Sequence, residues 1–221
     1  LDTQDDRGHQ RKRNRPVPAG QISAGKALMT VPLLLVIAGS LASLLPPLFS
    51  AALAVYFGLT LSYSLRLKQV IALDVTILAL LYTLRVIAGG AATGIHLSFW
   101  LIAFSLFLFF SLACLKRYIE LNDKQETNAG TNSRRGYQPR DALMIAGGGL
   151  AFGFVATLVL ALYIQSENVQ ALYSNTYLLW LLCPTLMFWL LRIWLLGGRG
   201  AMHDDPVVFA ATDRISLVSV A

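Results

Sequence analysis

The sequence predicts an all-α integral membrane protein, a multi-helix transmembrane bundle. Three observations carry this. Of 221 residues, 56% are hydrophobic and 14% are charged, where a soluble domain carries about 25% charge. The mean hydropathy is +0.59. The apolar residues also fall into runs near the roughly 20 residues that a helix needs to cross a bilayer core.

Six spans are expected, at 27–45, 48–65, 70–92, 98–115, 142–164 and 177–196. Pro46-Pro47 separates the first two as a tight turn. The segment Thr93 to Leu97 is too short for anything but a hairpin between the third and fourth. The loop 116–141 contains a polar stretch, Asn122 to Gly136, with no apolar period, which reads as a mobile loop. In the tail, Asp204-Asp205-Pro206 is a helix-start signal. It predicts a short interfacial helix over Val207 to Arg214, and Ile215 to Ala221 reads as the start of a further span. The chain begins on Leu1 rather than Met and stops within an apolar run. It is therefore expected to be one transmembrane domain, 1–221, truncated at both ends.

The net charge of +6 does not indicate nucleic acid. The basic residues lie in alternate loops: before the first span, after the second, after the fourth and around the end of the sixth. Arg85 falls deep inside a span, and Arg192 lies near the end of the sixth. Basic residues gather on the cytoplasmic side of membrane proteins, so the loop 116–141 and the N-terminal stretch are placed there. Cys114 and Cys183 fall within apolar runs and read as small buried hydrophobes. No CxxC or HxxxH spacing suggests zinc or haem. His96 and His203 have no partners at ligand spacing and read as surface or loop residues.

Chemistry is concentrated at four places. In the first stretch, LDTQDDRGHQRKRNRPVPAG, a helical reading puts Asp2, Asp6, His9 and Arg13 along one face. Two carboxylates one turn apart suit Mg²⁺, which keeps waters and is completed by substrate phosphates. Arg7, Lys12, Arg13 and Arg15 then face phosphate oxygens. A solvated charged loop accounts for the basic residues but not for the aspartates. The second place is Tyr63 with Lys68 at the end of the second span, a phosphate-holding pair or an ordinary interfacial belt. The third is Asp74, Tyr82 and Arg85. Asp74 and Arg85 share a face but stand about 16 Å apart at the helical rise, too far to pair. An arginine at bilayer depth faces a polar cavity or the bundle interior, or pairs with a buried carboxylate. The fourth is Lys116, Arg117 and Tyr118 as phosphate donors, with Glu120 and Asp123 at i, i+3 as a second metal-binding face. The plain alternative there is another charged helix end.

The pattern from Asp2 to Pro16, D-x3-D-R-x-H-x2-K-R-x-R-P, resembles the second half of the first aspartate-rich motif of UbiA-type intramembrane prenyltransferases. Tyr63-x4-Lys68, Asp74, Tyr82-x2-Arg85 and Lys116-Arg117-Tyr118-x-Glu120-Leu121 follow in the family's order. The resemblance implies a nine-helix bundle around a cavity open to lipid, with this chain holding helices three to eight and the start of the ninth. It implies that Asp2, Asp6, Glu120 and Asp123 bind Mg²⁺, with Asp2, Asp6, Lys68 and Glu120 catalytic. Arg7, His9, Lys12, Arg13, Arg15, Tyr63, Asp74, Arg85, Lys116, Arg117 and Tyr118 would contact substrate.

Within the family, RVIAGGAATGIHLSFW and KRYIEL resemble the branch that makes polyprenyl-phosphoryl-phosphoribose. The second acidic motif is Glu120-x2-Asp123 rather than the D-x3-D usual for aromatic acceptors. The expectation is an inner-membrane, Mg²⁺-dependent transferase moving phosphoribose from phosphoribosyl diphosphate to a polyprenyl phosphate. The alternatives are a prenyl transfer from a prenyl diphosphate to an aromatic or other acceptor, and a non-catalytic transporter or lipid-binding protein. The last accounts for the spans and Arg85 but not for the clustered aspartates.

Overall fold

The computed structural model describes residues 16, 17, 19–126, 136–167, 169, 176–202 and 205–220. Among these the secondary structure is helical, with no strand. Two compact units are distinguished, Leu1–Ala51 and Ala52–Ala221.

In the first unit, α1 spans Ala24–Ala42. Ser23 caps it, its Oγ accepting from the Lys26 amide at 3.3 Å. The helix stops three residues before the expected end of the first span. The Ser40 hydroxyl folds back onto the Val36 carbonyl and that of Ser43 onto the Ser40 carbonyl, and Pro46 and Pro47 have no amide to continue the ladder. The apolar part, Leu28–Ala42, is about 22 Å long at the helical rise, short of a core of about 30 Å. Five of the six expected spans are long and apolar enough to cross: Pro47–Leu65, Leu73–Thr93, Phe99–Asp123, Pro139–Ile164 and Thr176–Gly198. The protein is a multi-pass membrane protein.

α2 (Pro47–Leu65) begins in the first unit and continues into the second. A 3-10 turn, Leu67–Gln69, carries Lys68 to the start of α3 (Leu73–Thr93). Gly94, at φ +70°, closes α3 in the left-handed conformation that ends helices. α4 (Phe99–Glu126) runs well past the expected boundary at 115. Its last turns are amphipathic: Leu115, Ile119 and Leu121 are buried while Lys116, Glu120 and Asp123 reach outward. The expected loop 116–141 is therefore helical over its first eleven residues, since burial of that stripe extends the helix. Most of the stretch expected to be mobile, 127–135, lies outside the described residues. A 3-10 turn, Pro139–Asp141, leads into α5 (Ala142–Ile164). A helical turn, Thr176–Leu179, precedes α6 (Leu182–Gly198).

The core of the second unit is α4 packed between α3 and α5, with α6 against both α4 and α5. Helices in lipid gain little from the hydrophobic effect and rely on close van der Waals packing through small residues. Gly149 and Gly153 serve that contact. A Cβ on Gly149 would stand 2.3 Å from the Trp194 ring and 2.7 Å from the Cys114 Cβ. Trp194 Nε1 donates to Ser111 Oγ across the same seam at 3.2 Å. Cys114 and Cys183 are buried free thiols, as expected, and His96 is exposed in the α3–α4 connection.

The tail forms two short helices, where a short helix over Val207 to Arg214 and the start of a further span from Ile215 were expected. Asp205 caps α7 (Pro206–Thr212), its Oδ1 accepting from the Val207 amide at 3.0 Å. The chain then breaks at Asp213 before α8 (Arg214–Val220). Asp213 accepts from Arg192 on α6 at 2.6 and 3.0 Å and from the Ser216 amide at 2.8 Å. That anchor ends α7 two residues before the expected Arg214.

Candidate functional site

The start of α3, the last turns of α4, the start of α5 and the end of α6 lie at the same end of the second unit, because the connected helices alternate in direction. Arg117 is the centre of what they build. Its Nη2 lies 2.5 Å from Asp74 Oδ2, and its Nη1 donates to Glu120 Oε2. Asp74 is 0% exposed and Arg117 2%. The Tyr137 hydroxyl donates to Asp74 Oδ1 at 2.6 Å and accepts from the Ala72 amide at 2.8 Å. The Arg117 guanidinium also lies over the Tyr137 ring, 5.7 Å from its centroid, a cation–π arrangement.

Burial, reinforced by the hydrogen bond to Asp74, raises the Tyr137 phenol above its ordinary pKa. It therefore keeps its proton at neutral pH and stays a donor. Arg117 Nη2 and Asp74 Oδ2 meet as an ion pair, and among the described residues Arg117 Nε and Nη2 and Asp74 Oδ2 have no hydrogen-bond partner although buried. Isolated charges in such a place cost several kcal/mol each, on the order given for buried ions, and persist only when paired.

Around this cluster the other expected residues are arranged in three ways. Lys116, on the outer side of α4, is paired with Asp205 at the cap of α7. Tyr118 tilts against Trp194, with centroids 5.8 Å apart, and its hydroxyl lies close to Gly198. Lys68 and Tyr63 are half-buried, and Asp123 is exposed. Glu120, its side chain 30% exposed, links the buried pair to the surface. Asp2, Asp6, Arg7, His9, Lys12, Arg13 and Arg15 lie outside the described residues.

Arg85, on α3, lies among phenols. It is exposed, and no salt bridge to a carboxylate is found for it among the described residues. Its Nε and Nη2 donate to the Tyr56 hydroxyl at 3.2 and 2.5 Å, and its guanidinium stands 4.8 Å from the centre of the Tyr82 ring. Asp74 and Arg85 do not pair, as their spacing implied.

Among the described residues no three of His, Cys, Asp and Glu converge as a metal cage. Glu120 and Asp123 supply hard oxygens one turn apart on α4. Mg²⁺ keeps several waters and takes substrate phosphates, so this face fits the ion as half of a set. Two residues of the site carried no signal in the sequence. Tyr137 stands in a polar stretch, and Asp205 read only as a helix cap. Their partners are 63 and 89 residues away.

A helical bundle with membrane-length spans and a buried arginine–carboxylate cluster at one end, with Lys116 and Glu120 at its edge, defines a multi-pass membrane protein with a charged site at the end of its helices. Residues 1–209 match the model of the UbiA prenyltransferase family, and the chain belongs to that family. It is 38% identical over 216 residues to an uncharacterized protein, y4nM, of Sinorhizobium fredii, covering 97% of this chain and 42% of that protein. It is 29% identical over 220 residues to the nodulation protein NoeC of Azorhizobium caulinodans, covering 100% of this chain and 72% of that one. A stretch of 128 residues is 33% identical to the decaprenyl-phosphate phosphoribosyltransferase of Mycobacterium tuberculosis, covering 58% of this chain and 42% of the enzyme. The chain thus spans less than half the length of two of these three relatives.

Proposed function

We propose that the protein to which this chain belongs is a Mg²⁺-dependent intramembrane transferase that moves phosphoribose from phosphoribosyl diphosphate to a polyprenyl phosphate, with loss of diphosphate. The observation that carries this is the Lys116-Arg117-Tyr118-x-Glu120 segment. Arg117 is buried between Asp74 and Glu120, so the segment offers the surface a lysine, a phenol and a carboxylate from one fixed turn. Similarity to a decaprenyl-phosphate phosphoribosyltransferase supports the sugar-phosphate branch.

In this reading Asp2, Asp6, Glu120 and Asp123 hold the ion. Bound there, Mg²⁺ supplies positive charge to a departing diphosphate. Lys68, Lys116, Arg7, His9, Lys12, Arg13 and Arg15 neutralise phosphate oxygens, with Tyr63 and Tyr118 as hydroxyl donors. Asp74 and Arg117 act by orienting Glu120, since both are closed off from solvent. Arg85 serves the lipid substrate, meeting its phosphate or polar end within the bilayer. The carbon–oxygen bond from ribose C1 to diphosphate breaks, and a polyprenyl phosphate oxygen forms the new bond to C1. The apolar surroundings keep water from the cationic carbon. The active groups lie on the cytoplasmic side.

The test is turnover by the full-length protein in lipid nanodiscs. Labelled phosphoribosyl diphosphate with polyprenyl phosphate is expected to give a labelled lipid, and Asp6→Ala to abolish it. A labelled product from prenyl diphosphate and an aromatic acceptor instead would replace this reading with prenyl transfer. Undiminished activity of Asp6→Ala would remove the metal assignment.

A further inference from the structure

We propose that Tyr137 is a positioning residue: its hydroxyl fixes the turn that carries Lys68, using the Asp74–Arg117 pair as its anchor. The role of Lys68 as a phosphate ligand rests on the function proposed above. The hold of Tyr137 on the turn does not.

Proton directions follow from chemistry. The Ala72 amide can only donate, so the phenol oxygen accepts there and its single proton goes to Asp74 Oδ1. Ala72 is the one described residue other than glycine with positive φ, at φ +64° and ψ −34°. L-residues rarely adopt that conformation, and it persists only where the surroundings impose it. Ala72 stands at the N-cap of α3, and its methyl side chain makes no capping hydrogen bond to hold that position. The hydrogen bond that its amide donates to the Tyr137 hydroxyl supplies the hold.

The residue next to Tyr137 acts on the same turn. Gly136 lies so close to the chain before Ala72 that a Cβ would stand 3.1 Å from the Gln69 carbonyl and 3.2 Å from Ile71. The turn Leu67–Gln69 is thus backed by Gly136 and tied through Ala72 to Tyr137. On its other side Tyr137 rests under the Arg117 guanidinium, and Arg117 is itself locked by two carboxylates. The backbone that follows Lys68 is tied at Ala72 to Tyr137, 65 residues along the chain, and through Tyr137 to Asp74 and Arg117.

Tyr137→Phe keeps the ring and removes both hydrogen bonds. Two measurements on the full-length protein test it. The first is hydrogen exchange of the Ala72 amide. It is expected to accelerate at least tenfold in the variant, with amides near Ser111 on α4 unchanged. The second is binding of magnesium diphosphate, the product common to both transfer reactions, across a cycle with Lys68→Ala. Tyr137→Phe is expected to weaken binding about tenfold in the wild-type background and less than threefold when Lys68 is absent.

Unchanged exchange at Ala72 overturns the proposal. An equal loss in both backgrounds overturns it too, since a general structural defect does not depend on Lys68. Accelerated exchange in a protein that does not bind magnesium diphosphate at all would keep the hold of Tyr137 on the turn and overturn the functional reading. If Tyr137→Phe does not fold, Ala72→Gly is added, because glycine adopts positive φ without strain. The double variant is read by the same binding cycle.

Discussion

The Arg117 guanidinium lies 2.5 Å from the Asp74 carboxylate, and both side chains are closed to solvent. They are 43 residues apart and join the start of α3 to the end of α4. Breaking a buried pair leaves an uncompensated charge, which costs about 3–5 kcal/mol. Arg117→Met is expected to lower stability by that order in detergent unfolding. Lys116→Met, which breaks a pair whose lysine is 34% exposed, is expected to cost about 0–1 kcal/mol. Equal losses for the two would show that the Arg117 cluster is not buried in solution.

Arg85 separates function from stability. An exposed guanidinium in the middle of a span costs about 2.5–3.5 kcal/mol of insertion free energy. In return it donates to the Tyr56 hydroxyl and stands over the Tyr56 and Tyr82 rings, and none of these contacts is with a charged group. Arg85→Leu is expected to leave the thermal midpoint equal or higher while reducing lipid-product formation at least tenfold. A variant that is both destabilised and fully active would show the arginine to be structural.

Asp213 makes the tail sensitive to acid. The hydrogen bonds from Arg192 hold its carboxyl below the ordinary 3.8, at about 2. A carboxyl depressed in the folded state stabilises fully above its unfolded pKa. That contribution disappears as pH falls through the folded value. Protease cleavage within α8 is expected to rise as pH drops from about 4 toward 2, the window set by those two values. In Arg192→Met the tail is expected to be cleaved readily at pH 6 as well, with no further rise in that window. Acid-independent cleavage of the native protein would sink this assignment.

The α5–α6 seam has an internal control. Gly147 has open space where a Cβ would stand, whereas at Gly149 the Trp194 ring and Cys114 occupy it. Gly149→Leu is expected to lose about 1–3 kcal/mol or fail to assemble, while Gly147→Leu leaves folded yield unchanged. Similar yields from the two variants would disprove the close approach of α5 to Trp194.

Much of the architecture was legible along the chain. Apolar runs of bilayer length mark spans regardless of what packs beside them. Proline pairs and glycines mark their ends, so five of the six expected spans correspond to membrane-length helices. The errors have local causes. Apolar run length could not register that serine back-bonding would shorten α1. It could not register either that an amphipathic stripe of Leu115, Ile119 and Leu121 would carry α4 past the bilayer boundary. The site was legible in part. Lys116, Arg117, Tyr118 and Glu120 stood out as a charged turn on an apolar chain. Their division into a buried centre and an outward ring did not, because residues one apart on a helix point about 100° apart and only a neighbouring helix decides which direction is inside.

The sequence by itself determined that this is a multi-pass helical membrane protein with UbiA-type charged motifs, because hydropathy and motif spacing are properties of the chain alone. The tertiary structure alone decided which charges neutralise one another. Asp74 meets Arg117 and Tyr137, Lys116 meets Asp205, Arg192 meets Asp213, and Arg85 meets two phenols instead of an acid. Each except the Arg85–Tyr82 contact joins separate elements of the chain. Charge pairing at low dielectric depends on distances of a few ångströms that no local pattern encodes.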